Sequence, residues 1–112
     1  MGIERRQSAR YQISQSIKLS MGHESFFEAE SVDLGAGGLR CRSTYALEPL
    51  TRIFLMLRLP SDSGDYTLQT EASVVHVRRM DEVYEYGIQF DPLEQADRDA
   101  LNAHLASLSP EP

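Results

Sequence analysis

The segment from Ser31 to Arg40 constrains the fold more than any other, because three glycines within four positions interrupt a strand-like run just after an acidic residue. Glycine weakens a strand interior, but it permits positive φ and close approach of the backbone to another group. Gly35, Gly37 and Gly38 therefore predict either a bulged turn that serves as a ligand shelf or a hairpin turn with spare glycines. Asp33 stands at the lip of this turn. Its carboxylate can accept hydrogen bonds from the turn's own amides or from a donor such as a guanine edge.

A second group of charged residues lies near the N-terminus. Arg6 and Arg10 have the spacing R-x-x-x-R, and Arg5 precedes them. Guanidinium groups bind phosphate oxygens bidentately and stack on flat rings, so closely spaced arginines suit a ligand that offers both phosphates and purines. The alternative is that this arm, residues 1–11, pairs with an acidic surface of its own domain. The arm shows no clean periodicity, as is common at chain termini.

Taken together, the two segments resemble the bipartite signature of the PilZ family, bacterial receptors for the second messenger cyclic di-GMP. The family pattern is R-x-x-x-R followed by a [D/N]-x-S-x-x-G turn. Arg6, Arg10, Asp33 and Gly38 match it, whereas Gly35 stands where the family has serine. The segments ASVVH, at residues 72–76, and YGIQF, at residues 86–90, also resemble family strands, so the resemblance spans about residues 4–105.

The resemblance implies a function and a set of binding residues. Arg6 and Arg10 would hold the phosphates and Hoogsteen edges of cyclic di-GMP, Asp33 would accept from a guanine edge, and Gly38 would let the backbone approach. In the family, an arginine just before the motif tends to accompany an intercalated ligand pair, so Arg5 implies that two ligand molecules bind together. The output would be a reoriented arm presented to a protein partner.

A second function, of a different class, stays open beside the receptor. The PilZ family also contains adaptors that bind another protein and no nucleotide. Gly35 favours this alternative because it lacks the hydroxyl of the family's serine, whereas the retained arginines favour the receptor. The ligand-binding candidates are therefore Arg5, Arg6, Arg10, Asp33, Gly35 and Gly38.

Hydrophobic periodicity predicts a mainly β domain. Six short segments alternate apolar and polar residues, which favours a six-stranded antiparallel barrel over about residues 12–90. In the second segment the alternation changes parity, which predicts a bulge near Glu30 or Ser31. Arg40 lies on the outer face of the third segment, either as a solvated charge or as a further ligand contact. The PilZ resemblance implies the same order of strands.

A C-terminal helix is predicted over about residues 92–108. Asp91 has the position of a helix cap, Pro92 that of the first helical residue and Glu94 that of a capping-box carboxylate. Apolar residues then recur at helical spacing through Leu101, Leu105 and Leu108, with charged residues between them. This narrow apolar stripe predicts a helix that packs on the barrel or across one of its ends.

Length and charge limit the function further. A chain of 112 residues fits a single domain. The net charge of −6 argues against DNA or RNA as a partner, although the arm alone carries +2 and the region from residue 81 onward −7. The longest apolar run, from Ile53 to Leu57, is too short to span a membrane, and the N-terminus lacks a signal-peptide core, so a cytoplasmic location is expected.

Side chains that would indicate catalysis or metal binding are scattered. His23, His76 and His104 fall on a predicted turn, strand and helix without metal-ligand spacing, and Cys41 is the single cysteine. The serines lie in no nucleophile motif. We therefore expect no enzyme, no resident cofactor and no metal site.

Overall fold

Six strands and one helix make up the fold. They are β1 (Tyr11–Ser20), β2 (Phe27–Leu34), β3 (Gly38–Ser43), β4 (Arg52–Leu59), β5 (Tyr66–Met80), β6 (Val83–Phe90) and α1 (Gln95–Ala106). The structure is a computed structural model that describes residues 11–21, 26–60 and 63–108, with the backbone alone for residues 12–16. The strands close into an antiparallel barrel in the order β1-β2-β3-β6-β5-β4. The predicted barrel with a C-terminal helix is confirmed, while Tyr11, assigned to the arm from sequence, belongs to β1.

Alternate positions of the strands fill the barrel with apolar side chains. In β4 the inward-facing residues are at most 3% exposed, as the period-two pattern predicts: Ile53, Leu55, Leu57 and Leu59. Tyr86, Ile88 and Cys41 are equally buried on the facing strands. Burial, reinforced by the nearby Glu85 charge, raises the pKa of the Cys41 thiol to about 12, so this thiol is protonated at neutral pH.

A bulge in β2 decides which way the end of the strand faces. The pairing of β2 with β3 shifts between Ser31 and Asp33, which leaves Val32 as the extra residue, slightly later than the sequence predicts. The shift reverses the alternation. Leu34 consequently enters the core, fully buried, and Asp33 lies beside Arg40 on the outer face.

The helix begins later than predicted. Glu94 occupies the N-cap position without a side-chain hydrogen bond to the helix. Asp91 does not cap the helix, because both of its carboxylate oxygens accept hydrogen bonds from Arg52, at 2.8 and 2.6 Å. Leu101 and Leu105, which belong to the apolar stripe of α1, are buried, as predicted. In the described part of the chain, no helix has the length and apolar character needed to cross a membrane.

Candidate ligand-binding site

The glycine turn connects β2 to β3 through residues 35–37. The Gly35 amide donates to the Gly38 carbonyl at 2.9 Å, and the Gly37 carbonyl accepts from the Phe90 amide at the same distance. The turn is thus tied to β6 as well as to itself. Among the described glycines, only Gly64 has a positive φ, so this turn does not depend on that property of glycine.

Gly38 is required by a close approach of two backbones. A Cβ atom built on Gly38 would lie 2.0 Å from the Ile88 carbonyl oxygen and 3.1 Å from the Gln89 Cα. Gly38 pairs with Gln89 at the start of the β3–β6 ladder. The sequence predicted that the backbone of this turn approaches another group closely. In the structure that group is the backbone of β6.

Asp33 forms an ion pair with its cross-strand neighbour. Asp33 and Arg40 are partners in the β2–β3 ladder, and an Arg40 Nη donates to the Asp33 carboxylate at 2.5 Å. The Asp33 residue is 2% exposed, whereas the Arg40 side chain is 39% exposed. Arg40 is therefore not simply a solvated charge. Its guanidinium group covers the Asp33 carboxylate, which is the predicted acceptor for a guanine edge.

Glu85 is a buried carboxylate that the sequence analysis did not single out. It is 4% exposed and lies between β3 and β5. Arg42 donates to it from Nε and Nη2 at 3.1 Å, Arg78 from Nη2 at 3.2 Å, and Arg40 Nη1 lies 4.0 Å away. The signal in the sequence is the pairing register, which places Arg42 and Arg78 directly opposite Glu85 on the two neighbouring strands.

The arginines determine the ionisation of Glu85. Burial alone would raise its pKa, but the hydrogen bond from Arg42 and the charges of Arg40 and Arg78 outweigh burial and lower the pKa below the ordinary glutamate value. A carboxyl group with a lowered pKa stabilises the folded state above its unfolded-state pKa. That contribution is lost as the pH falls through the folded-state pKa.

We therefore predict an acid-sensitive difference in stability between the wild type and Glu85→Gln. The wild type should be the more stable at pH 7, and its advantage should decrease below a pH of about 4.3 as Glu85 becomes protonated. Urea unfolding of both proteins between pH 7 and pH 3 measures the difference. An advantage that is independent of pH would contradict this account of Glu85.

Gly87 lies on β6 between Arg40 of β3 and His76 of β5, on the outer face of the barrel. Arg40 and His76 are its partners on β3 and β5. A Cβ atom on Gly87 would lie 2.2 Å from the His76 ring, so the imidazole packs over the bare backbone of β6. His76 is exposed while its ring packs over Gly87, and His23 lies outside the described residues. Within residues 11–21, 26–60 and 63–108, no group of three or more side chains has the arrangement of a metal site.

The predicted binding residues separate into two sets. Asp33, Gly35 and Gly38 lie together at the turn between β2 and β3. Arg5, Arg6 and Arg10 lie outside the described residues. Strand β1 nevertheless begins beside the turn, because Tyr11 pairs with Leu34 and Gln12 with Asp33.

Comparison with known families decides the relationship that these features suggest. The family model of the PilZ domain matches residues 4–107, which is nearly the whole chain. The chain belongs to the PilZ domain family. PilZ domains are typically ligand-binding or adaptor domains without enzymatic activity, and no catalytic family is indicated. No match to the chain was found among curated proteins.

Solved structures show the same fold. The Bacillus subtilis inhibitor of motility MotI/DgrA superposes with a TM-score of 0.80 at 20% identity, over 93% of this PilZ chain and 51% of the other. The chain thus spans about half the length of that protein. The PilZ domain of Escherichia coli YcgR, solved with cyclic di-GMP, gives 0.72 at 15% identity and covers 93% and 91% of the two chains. The K. pneumonia MrkH complex with cyclic di-GMP gives 0.67 at 17% identity, over 93% and 51%.

Proposed function

We propose that this PilZ domain is a receptor for cyclic di-GMP. The observation that carries the proposal is the pairing of Tyr11 with Leu34, because it brings the start of β1 to the same end of the barrel as the Asp33 turn. The chain that precedes Tyr11 contains Arg6 and Arg10. We propose that the two halves of the binding signature, distant in sequence, act together at this end of the barrel.

In the proposed complex each group has a separate chemical task. Arg6 and Arg10 bind the phosphates and Hoogsteen edges of the dinucleotide through charge-assisted hydrogen bonds. Asp33 accepts hydrogen bonds from the N–H groups of a guanine edge. Arg5 favours binding of an intercalated pair of ligand molecules. The ligand is a regulatory signal, and no cofactor or catalytic step is involved.

The proposed output is a change in the arm. Three neighbouring arginines repel one another until phosphates neutralise them, so ligand binding orders the arm and presents it to a protein partner. The family assignment and the two neighbouring structures solved with cyclic di-GMP support the choice of ligand. The acidic net charge of −6 disfavours DNA or RNA as the partner. We place the protein in the bacterial cytoplasm, where it acts without a membrane partner.

Calorimetric titration of the wild type with cyclic di-GMP tests this function directly. We expect saturable binding with two ligand molecules per chain and none with cyclic di-AMP at equal concentration, because adenine lacks the N1 and N2 donors that Asp33 would bind. Absence of heat with cyclic di-GMP would overturn the receptor. One ligand per chain would instead remove only the role implied for Arg5.

Two observations keep the adaptor as a second candidate. Gly35 lacks the family's hydroxyl, and Arg40 already occupies the Asp33 carboxylate. An adaptor would bind a protein partner without nucleotide, so it would give no heat with either dinucleotide.

Restoring the serine of the motif provides a graded test. Gly35 is buried but has no positive φ, so serine fits its backbone conformation, and the stability of Gly35→Ser measures whether the turn has room for the side chain. One neutral hydrogen bond contributes about 0.5–1.5 kcal/mol, so cyclic di-GMP should bind a few-fold tighter. Titration and thermal unfolding of this variant measure both effects. A stable variant with unchanged affinity would show that position 35 does not contact the ligand.

A further inference from the structure

The outer face of β3, β6 and β5 carries three arginines that share one carboxylate. This Glu85 cluster consists of Glu85 with Arg40, Arg42 and Arg78. Asp33 lies beside Arg40 and Glu30 opposite Arg42 in the β2–β3 ladder, so three carboxylates balance the three arginines on this face. The arginine side chains are 39–63% exposed, whereas the Asp33 and Glu85 side chains are 3% and 5% exposed, so solvent at the cluster meets guanidinium groups, which attract anions.

The cluster has hydrogen-bond donors that Glu85 does not use. A guanidinium group has five N–H donors. Arg42 directs Nε and Nη2 to Glu85, and Arg78 directs Nη2 alone. Within the described part of the chain these two side chains make no other hydrogen bond, and they are 43% and 63% exposed. Their remaining donors are available to a ligand.

The cluster is continuous with the glycine turn. Arg40 contacts Asp33 at 2.5 Å and lies 4.0 Å from Glu85, so one side chain joins the two carboxylates. Neighbouring strands lie about 4.8 Å apart, which puts β6 roughly 10 Å from β2. A cyclic dinucleotide has two guanines joined by two phosphates, so a guanine on Asp33 leaves a phosphate close to β3 and β6.

We infer that the Glu85 cluster binds a phosphate group of cyclic di-GMP, with Arg42 and Arg78 as direct contacts and Glu85 as the residue that positions them. The inference rests on the proposed function. Glu85 holds the two guanidinium groups in place and offsets their mutual repulsion, so the phosphate meets a preorganised site. The alternative is a cross-strand ion-pair ladder that only stabilises the barrel.

Titration of full-length variants with cyclic di-GMP distinguishes the two roles. Arg42→Gln and Arg78→Gln should each weaken binding by about tenfold, since each removes a charge-assisted contact to phosphate. Arg42→Lys should also weaken binding, because lysine keeps the charge but lacks the planar fork. Arg58→Gln is the matched control: Arg58 is an exposed arginine on β4 that pairs with Asp65, and its loss should change the affinity by less than about twofold.

Glu85→Gln separates positioning from total charge. If charge alone mattered, removal of this negative charge should tighten the binding of an anion. Because we infer that Glu85 positions Arg42 and Arg78, we expect Glu85→Gln to weaken binding instead. Thermal unfolding establishes that each variant is folded, and Arg78, the most exposed of the three arginines, keeps the test valid if an Arg42 variant is unstable.

The possible results are distinct for the two proposals. If the wild type binds and the Arg42 and Arg78 variants bind as well as Arg58→Gln, the cluster is a structural ladder and the receptor stands. If Glu85→Gln binds more tightly, the positioning role is wrong. If the wild type does not bind, both the receptor and this inference are overturned.

Discussion

Gly38→Ala is expected to destabilise the fold by at least about 3 kcal/mol, at the upper end of what overpacking costs. The added Cβ would lie 2.0 Å from the Ile88 carbonyl oxygen, and this neighbour is backbone within the β3–β6 ladder. Relief of the clash would need the two strands to separate, which sacrifices hydrogen bonds at the start of that ladder. Small domains have a total stability of about 5–15 kcal/mol, so a large fraction of the variant molecules should unfold in mild denaturant.

Gly37→Ala provides the matched control one residue earlier. A Cβ at Gly37 would meet no atom within 4 Å, and Gly37 lacks a positive φ. Its stability should stay within about 0.5 kcal/mol of the wild type. Urea unfolding of both variants gives the comparison. Equal stability of the two would show that β3 and β6 are not packed as closely as described.

Loss of an arm arginine is expected to have the largest effect on ligand binding. Arg6→Ala and Arg10→Ala should each weaken cyclic di-GMP binding by at least about tenfold, because each removes a charge-assisted, bidentate contact of about 1.5–3 kcal/mol. The double variant should show no saturable binding at concentrations that saturate the wild type. Calorimetric titration measures all three.

The fold of these arm variants should be retained, since the described residues already contain an apolar core that extends from Ile17 to Leu105. Arg58→Ala, which removes a cation from β4, serves as the control for a general loss of positive charge. Affinities of the Arg6 and Arg10 variants equal to that of the control would place the ligand elsewhere on the domain.

The C-terminal helix shows what local sequence patterns can and cannot predict. Its apolar spacing correctly predicted burial of Leu101 and Leu105, because that spacing depends only on the helix period. The predicted cap was wrong because Asp91 has a competing partner, Arg52, on a distant strand. A charged, two-point contact to a guanidinium replaces the cap, and no pattern within the helix segment contains that information.

The candidate site was predictable to a similar extent. Residues close in sequence, from Asp33 to Gly38, correctly indicated a turn with a close backbone approach. The position of the β2 bulge and the burial of Glu85 required the pairing of β3 with its neighbours, because that register decides which outer-face charges meet. Alternation along β6 alone places Glu85 outside the core and leaves open whether arginines cover it.

The closed order of the strands also limits how a partner can recognise this protein. Every strand in the described residues has a neighbour on both sides, although β1 and β4 are joined by only three residue pairs. Exposed edges are where other chains add a strand, either in specific complexes or in aggregates. Where the strands are paired on both sides, a partner must therefore bind side chains rather than extend the sheet. The same closure reduces the length of strand that is open to edge-to-edge aggregation.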